Sequence, residues 1–434
     1  MTKNYQTKTA SVATAVEAAM PEAVSVRLAE LAGSLREGLL ALAVGTGFQV
    51  MDAIIDESVT VLAGPKGRHD AGRTAVRHGT EDGSVVLGGR RVPVRRPRVR
   101  TADRAAEVAV PAYELLSATD VLSSMVLERM MAKLSTRRYA AGLEPVGAGV
   151  EATGRSTSKS AISRRFVAAT ETALADLLAA DLSELDLVAL MIDGVHFADH
   201  LCVVALGIGV DGTKHPLGLA EGDTENTTVV VDLLADLRDR GLNTTRPILW
   251  VLDGAKALVA GVKAVFDHPV IARCQLHKIR NVESKLPDQL ASTVARKMRA
   301  AYHNPDALAA EATLEDLARQ LAKTNPGAAG SLREGLAETL TITRLGVPPT
   351  LARTLRSTNA VESMIEICRD HATNVKRWRD GQMALRWCAA GMLEAAKQFR
   401  RVNGFLHLPA LRVALNRHSA GTVTAPCQDD HVAA

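Results

Sequence analysis

Two segments of this 434-residue chain end alike: VALMIDG closes on Asp193-Gly194 and ILWVLDG on Asp253-Gly254. Each reads as a short apolar strand whose last residue is an aspartate. On neighbouring parallel strands the two ends would lie about 4.8 Å apart. Carboxylates held that close repel one another and raise one pKa unless a cation sits between them. Hard oxygen ligands at such spacing suit Mg²⁺ or Mn²⁺, which bind through a few carboxylates, water and substrate phosphate. A third carboxylate would complete a two-metal site, its ions roughly 3.5–4 Å apart and clamping the attacking and leaving oxygens of a displacement. Glu362, in RSTNAVESMIEICRD, is the candidate. Ser357 and Thr358 can cap that helix, which puts the acid in its first turns. A plainer account also fits: Asp-Gly after a strand is turn chemistry, as at Asp211-Gly212, and an acid near a helix start serves the macrodipole.

Other side chains invite a second kind of chemistry. CQLH, from Cys274 to His277, is half of a tetrahedral zinc set with no second half at suitable spacing. A buried cysteine beside an exposed histidine fits it as well. Trp378, flanked by Lys376, Arg377 and Arg379, suits stacking on an extruded base with cations on the phosphates, or plain core packing. Residues Arg90 to Arg100 hold six arginines, Arg95 and Arg96 among them, and no acid. Arginine without neighbouring carboxylates suits a polyanion, though such a run also marks a solvated edge strand. In VGAGVEATGRSTSKSAISRRFVAAT a glycine-rich turn leads into a short helix starting near Ser156–Ser158. Ala161, Ile162 and Phe166 face inward there, leaving Ser158, Lys159, Ser163, Arg164 and Arg165 outside. That pattern fits a DNA recognition helix entering the major groove, and equally an ordinary surface helix.

These residues need elements to hold them. Residues 1–20 read as a disordered tail. Over 21–110 a helical segment precedes a glycine- and charge-rich stretch and then VVLGGRRVPVRRPRVR, a hairpin turning at Gly88-Gly89. Residues 111–182 read as helical, with a helix-turn-helix-like DNA-binding region. From 183 to 287 the period changes to strands at 187–192, 201–210, 214–222, 248–252 and 270–274, with helices over 227–240 and 257–266: a mixed α/β sheet. Residues 288–350 are a helical stretch with faces at Leu290/Val294/Met298, Leu314/Leu317/Leu321 and Leu332/Leu336/Leu340. Helices over 351–417 carry Glu362, and 418–434 reads as a second disordered tail.

Composition narrows the classes. Hydrophobic residues at 47% and charged residues at 23% can bury a core, and aromatics at 3% mean it is built from Ala, Val and Leu. No apolar run approaches a membrane span and the start, MTKNYQTKTA, has no apolar signal core, so a cytoplasmic protein away from any membrane is expected. Five scattered cysteines, never paired as CxxC, fit a reducing compartment. The net charge of +4 says little by itself about a nucleic-acid partner. With four tyrosines and no Arg-His-Arg-Tyr constellation, a tyrosine recombinase is disfavoured.

IDG, LDGAKAL, CQLH, STNAVES around Glu362 and KRW at Lys376–Trp378, in this order and spacing, together resemble the Mutator-type bacterial insertion-sequence transposases. The resemblance spans roughly residues 75–415. It implies a ribonuclease H-like α/β core with an Asp-Asp-Glu triad, Asp193, Asp253 and Glu362, interrupted by an all-helical insertion between the second Asp and the Glu. Before it should stand a mainly helical DNA-binding region containing a β-hairpin. Two Mg²⁺ (or Mn²⁺) ions per active site are implied on the three acids, with Cys274 and His277 close by. The hairpin (Arg95, Arg96) and the helix carrying Lys159, Arg164 and Arg165 correspond to the family's end-binding region, and Lys376, Arg377 and Trp378 lie in the matching KRW. The implied partners are double-stranded DNA, both the terminal inverted repeats of the protein's own element and target DNA, and a second copy of the chain in a homo-oligomer, a dimer, on DNA. Replicative movement through a circular intermediate, in a nucleoid-associated bacterial protein, is implied too. The N-terminus lacks the paired cysteines of a zinc-binding module, so no structural zinc is expected. Two other classes remain: a nuclease on the same core that does not rejoin strands, and a non-catalytic DNA-binding regulator, a domesticated transposase. The regulator's expected mark is a lost triad carboxylate, and none is lost.

Overall fold

The computed structural model describes residues 22–68, 70, 72–118, 120–222 and 226–423. The expected N-terminal tail and residues 424–434 of the expected C-terminal one, with Cys427, lie outside the described residues. The chain divides into two compact units, one of residues up to 166 without 131–133, the other of 131–133 with 167 onward.

The first unit opens on a 42-residue helix, α1 (Glu22–Ala63). β1 (Ala75–Leu87) then reaches back into the glycine- and charge-rich stretch and pairs antiparallel with β2 (Arg90–Thr101). Gly88 and Gly89 join them, both at positive φ, which a tight two-residue connection with the native strand twist requires. A two-residue β3 (Glu107–Val108) extends the sheet. Ile55 and Val59 of α1 bury with Val85, Val99 and Tyr113 in a small core. Helices α2 (Pro111–Ser117), α3 (Asp120–Met131) and α4 (Ala148–Thr153) follow. α5 (Lys159–Ala179) is longer than expected, at 21 residues, and continues into the second unit. Ser158 Oγ accepts from Ala161 N at its start, and Ile162 and Phe166 are buried.

The second unit is built on a five-stranded sheet: β4 (Leu187–Phe197), β5 (His200–Gly209), β6 (Lys214–Gly222), β7 (Leu249–Leu252) and β8 (Val270–Arg273), in the order β6-β5-β4-β7-β8. β4, β5 and β6 are antiparallel; β4, β7 and β8 are parallel. The parallel pairs require crossovers, supplied by α6 (Thr227–Asp239) and α7 (Lys256–Val265). Val230, Leu233, Leu234 and Leu237 of α6 share one core with Leu190, Ile192, Val203 and Trp250. The alternate strand residues Met191, Cys202, Val204 and Leu206 are buried too, on the other face, which explains the unbroken apolar runs.

After α8 (Gln275–Glu283) the chain makes a helical excursion: α9 (Asp288–Tyr302), α10 (Ala307–Ala322), α11 (Pro326–Arg333), α12 (Leu336–Thr339), α13 (Thr341–Arg344) and α14 (Pro349–Leu355). The three leucine-rich faces read from the sequence close on one core with Val294, Leu317, Leu332 and Leu340. Polar bonds fasten it to the sheet. Lys278 Nζ, buried, donates to Ser331 O at 2.7 Å and Glu334 O at 2.6 Å; Gln275 Nε2 donates to Thr339 O at 2.8 Å; Thr341 Oγ1 donates to Ile271 O at 2.8 Å. Burial draws the Lys278 ammonium down to about 8. α15 (Asn359–His371) and α16 (Gly381–Gln398) then cover the second sheet face. α17 (Leu408–Val423) runs past residue 417, where a tail was expected. Among the described residues no helix is long and apolar enough to cross a membrane.

Candidate active site

Parallel pairing of β4 with β7 stops at Ile192↔Leu252. Asp193 and Asp253 are the next residues, so adjacent strands deliver them side by side at about the strand spacing of 4.8 Å. The two Asp-Gly pairs are nonetheless built differently. β4 does not end at Asp193 as expected; it runs on to Phe197, because β5 keeps pairing with it (Asp193↔Val204) after β7 has given out. Gly194 N donates to Asp193 Oδ1 at 2.8 Å. Asp253 does leave its strand: its Oδ1 accepts from Ala255 N at 2.7 Å, and Gly254 turns at φ +99°, where a Cβ would meet the Arg273 stem at 3.0 Å. Turn chemistry therefore describes Asp253 and not Asp193.

Alternation along β4 puts Asp193 on the face of Ala189 and Met191, the face on which α15 packs. Val361, Met364, Ile365 and Cys368 of α15 are buried, and Glu362 sits beside that stripe, 35% exposed. Thr358 occupies the N-cap but makes no capping bond. Its buried hydroxyl donates to Glu362 Oε1 instead and lies 3.4 Å from His277 Nδ1. Sequence reading missed this orienting role; the available signal was the four-residue spacing of Thr358 and Glu362. α8 begins directly after β8, which sets Cys274 and His277 beside the strand ends. His277 Nδ1 is 3.9 Å from Glu362 Oε1, and ligand atoms of Cys274, His277 and Glu362 lie within 4.8 Å of one another.

The electrostatics show that these groups feel each other. Burial pushes the Asp193 carboxyl up to about 6, with repulsion from Asp253 and Glu362 adding to it and the Gly194 N–H and His277 opposing. His277 is pushed up to about 9, first by its hydrogen bond with Cys274, against burial, and then by the charges of Cys274, Glu362 and Asp253. Burial works to raise the Cys274 thiol, but bonds with His277 and Thr358 outweigh it and hold it below its usual range. Asp193, Asp253 and Glu362 thus share one field, with an imidazole that is protonated at neutral pH at its edge.

The basic candidates do not gather here. On β2, Arg95 faces Asp82 and Arg96 faces Glu81 across the ladder. Arg95 bonds Asp82 at 2.6 Å, Arg96 pairs with Glu81, and Arg98 holds Glu107 through two bonds at 2.8 and 2.7 Å. The expectation of arginines without neighbouring carboxylates is therefore corrected: the acids stand across the sheet rather than along the strand. On α5, Lys159 and Arg164 are exposed, whereas Arg165 turns partly inward and donates to Ser156 O at 3.0 Å. Lys376 and Arg377 are exposed on the 372–380 connection. The Trp378 ring between them and Arg379 packs against Phe197 at 4.8 Å and edge-on to Trp387 at 6.3 Å, so the fold uses it for packing.

Comparison with known proteins identifies the family of the chain. A family model described as "Transposase, Mutator family" matches residues 28–402. A transposase for an insertion sequence element of Mycolicibacterium smegmatis is 29% identical over 239 residues, covering 54% of this chain and 72% of the relative. One from Rhizobium meliloti is 25% identical over 369 residues, 84% of this chain and 89% of the relative. A probable transposase from Corynebacterium diphtheriae is 28% identical over 226 residues, 49% and 65% of the two chains.

Proposed function

Since this chain belongs to the Mutator family of transposases, we propose that Asp193, Asp253 and Glu362 carry out phosphoryl transfer at the ends of a mobile DNA element. The observation that supports this most is the meeting of acids from three distant segments: burial lifts Asp193 to about 6, and the charges of Asp253 and Glu362 push it the same way. Among the described residues none of the three has a lysine or arginine partner, and the one imidazolium beside them, His277 at 3.9 Å from Glu362, cannot balance three acids. We read the five-stranded sheet as a ribonuclease H-like core and residues 288–350 as its helical insertion.

The cluster fits divalent ions, because its donors are hard carboxylate oxygens and its mutual repulsion is what a cation relieves. Two bound Mg²⁺ or Mn²⁺ ions would supply the positive charge that stabilises the attacking and leaving oxygens of an in-line displacement. The chain's own part is positioning. Ala255 N–H fixes the Asp253 carboxylate, the Thr358 hydroxyl fixes Glu362, and Gly194 N–H holds Asp193. Two displacements at phosphorus follow: water cuts the element-end phosphodiester and frees a 3′-hydroxyl, which then attacks a target phosphodiester, breaking its P–O3′ bond and releasing a 3′-hydroxyl on the target strand. No side chain is linked to DNA at any stage, which suits a site of carboxylates with no side-chain nucleophile required.

Double-stranded DNA is the proposed partner, as the protein's own terminal inverted repeats and as target, bound by a homodimer in the bacterial cytoplasm. Lys159, Arg164, Lys376 and Arg377 are the exposed cations offered to it; Arg95, Arg96 and Arg165 would first have to leave protein partners. The test places the gene with its native flanks on a plasmid in a host lacking the element and amplifies with outward-facing primers. Joined element ends with wild type and none with Asp193→Asn are expected. Junctions that persist in the variant would remove Asp193 from the chemistry.

A further inference from the structure

A cleft of about 330 Å³ in the second unit lies between α8, α9 and the segment joining α14 to α15. It meets the active site along two short stretches. Gln275 and Leu276 fall between Cys274 and His277, and Ser357 and Asn359 flank Thr358. Gln275 N donates to Arg356 O at 2.9 Å and ties the two stretches together.

The walls are of two opposite kinds. Leu276, Ile279 and Tyr302 make one side apolar; Ile279 and Tyr302 are buried, while Leu276 is 39% exposed. Arg299, Arg353 and Arg356 supply the other, and no carboxylate lines the cleft. Among the described residues none of these three guanidinium groups has an ion-pair or side-chain hydrogen-bond partner. Arg356 is the most telling. It is half-buried, its Nε is sequestered from solvent without any hydrogen-bond partner, and burial lowers its pKa. A partly desolvated cation without a counter-charge is unfavourable in the free protein, so a ligand that brings the negative charge fits there. Guanidinium groups match phosphate, and an apolar wall beside them accepts the flat face of a base. The cleft is too small for a duplex.

We propose that this cleft holds one unstacked nucleotide of a DNA strand at the active site, its phosphates on Arg299, Arg353 and Arg356 and its base against Leu276, Ile279 and Tyr302. The inference rests on the reading of the chain as a DNA-cutting enzyme. It makes frayed, nicked or single-stranded ends the preferred substrate, because an already unpaired base reaches the cleft without breaking a base pair.

The full-length protein, without divalent ion so that no strand is cut, is titrated into fluorescent element-end DNA, either blunt or carrying a short single-stranded tail. Wild type should prefer the tailed DNA by about 10-fold, the scale of one stacked base. Arg353→Ala and Arg356→Ala should each remove much of that preference and lower the salt slope for the tailed DNA by about 0.7 for each phosphate no longer neutralised. Blunt-duplex affinity should not change. An abasic first tail nucleotide, or Leu276→Ser, should weaken the preference in the same way. If Arg356→Ala does not fold, Arg353→Ala decides, since that side chain is exposed. Equal wild-type binding to both DNAs overturns the cleft proposal and leaves the transposase reading standing. Displacement of the tail by free deoxyadenosine monophosphate also overturns it, in favour of a free-nucleotide site. Binding to neither DNA sinks the transposase reading itself, and the cleft proposal with it.

Discussion

The β1–β2 sheet of the first unit and the surroundings of α15 in the second are both crowded with charge, and they treat it in opposite ways. Along β2 the arginines are neutralised one by one: Arg95 by Asp82, Arg96 by Glu81, Arg98 by Glu107. Glu107 is held down to about 2, chiefly by its bonds with Arg98. Around the start of α15 the only cation beside the acids, among the described residues, is the His277 imidazolium, and the arginines stand elsewhere. Asp193 and Asp253 at the strand ends and Glu362 on α15 act on one another's charge, while Arg353 and Arg356 stand without carboxylates in the adjoining cleft. Charges satisfied within the protein stabilise it modestly when exposed. Charges left without partners burden the fold and are available to something from outside, on the proposed reading cations for the acids and phosphates for the arginines.

That contrast is open to attack, first at the acids. Asp193→Asn, Asp253→Asn and Glu362→Gln should each lower cleavage of end DNA by at least about 10³-fold while changing DNA affinity little. Loss of binding in step with cleavage would make the acids structural. The same unpartnered charge should be visible in stability. Asp193's folded pKa of about 6 lies above its ordinary value of 3.8. The folded, metal-free protein therefore binds more protons than the unfolded chain between those values, and its stability falls as pH rises through the window. Asp193→Asn should then stabilise the metal-free protein at neutral pH, by on the order of 2 kcal/mol. Mg²⁺ should raise the melting temperature of wild type more than that of the variant; an equal rise in both would argue against a metal on Asp193.

Smaller effects sharpen the picture. Thr358→Val leaves the Glu362 carboxylate without its donor and should reduce cleavage about 10-fold, with Thr358→Ser close to wild type. An equal loss in both variants would point to packing rather than to the hydroxyl. At the paired end of the comparison, Arg95→Ala with Arg96→Ala should change DNA affinity by no more than about 2-fold, since both guanidinium groups already have carboxylates. A loss as large as that from the cleft arginines would erase the distinction. Zinc chelation should leave the melting temperature unchanged; a large drop would assign a metal to Cys274, His277 and Glu362.

The mixed sheet was readable because its strands are buried on both faces and leave continuous apolar runs, and α6 because four aliphatics fall on one stripe. The adjacency of Asp193 and Asp253 was readable too, since parallel strands paired as far as Ile192 and Leu252 need no tertiary detail to bring their next residues together. What stayed hidden depends on partners remote in sequence. Glu81 and Asp82 precede the arginines by a hairpin's length, so a scan along β2 finds no acid although the ladder sets one opposite Arg95 and another opposite Arg96. Ser357 and Thr358 have the composition of a cap, yet the hydroxyl's choice of Glu362 is a matter of local geometry. The arginine cleft joins residues from α9 and the α14–α15 segment, and no spacing rule links Arg299 to Arg356.

The bonds of Lys278, Gln275 and Thr341 to the helical excursion have a consequence in the order of folding. Both aspartates are synthesised before that excursion and Glu362 after it, so a chain emerging from the ribosome holds two-thirds of the acid cluster long before the rest. The buried Lys278 ammonium has its two acceptors only once α11 has closed over α8, and α15, which packs on β4, follows α11 in the chain. An interrupted or truncated product therefore lacks the third carboxylate altogether. On the proposed reading, a chain that stops within the excursion carries two of the three acids and cannot complete the site.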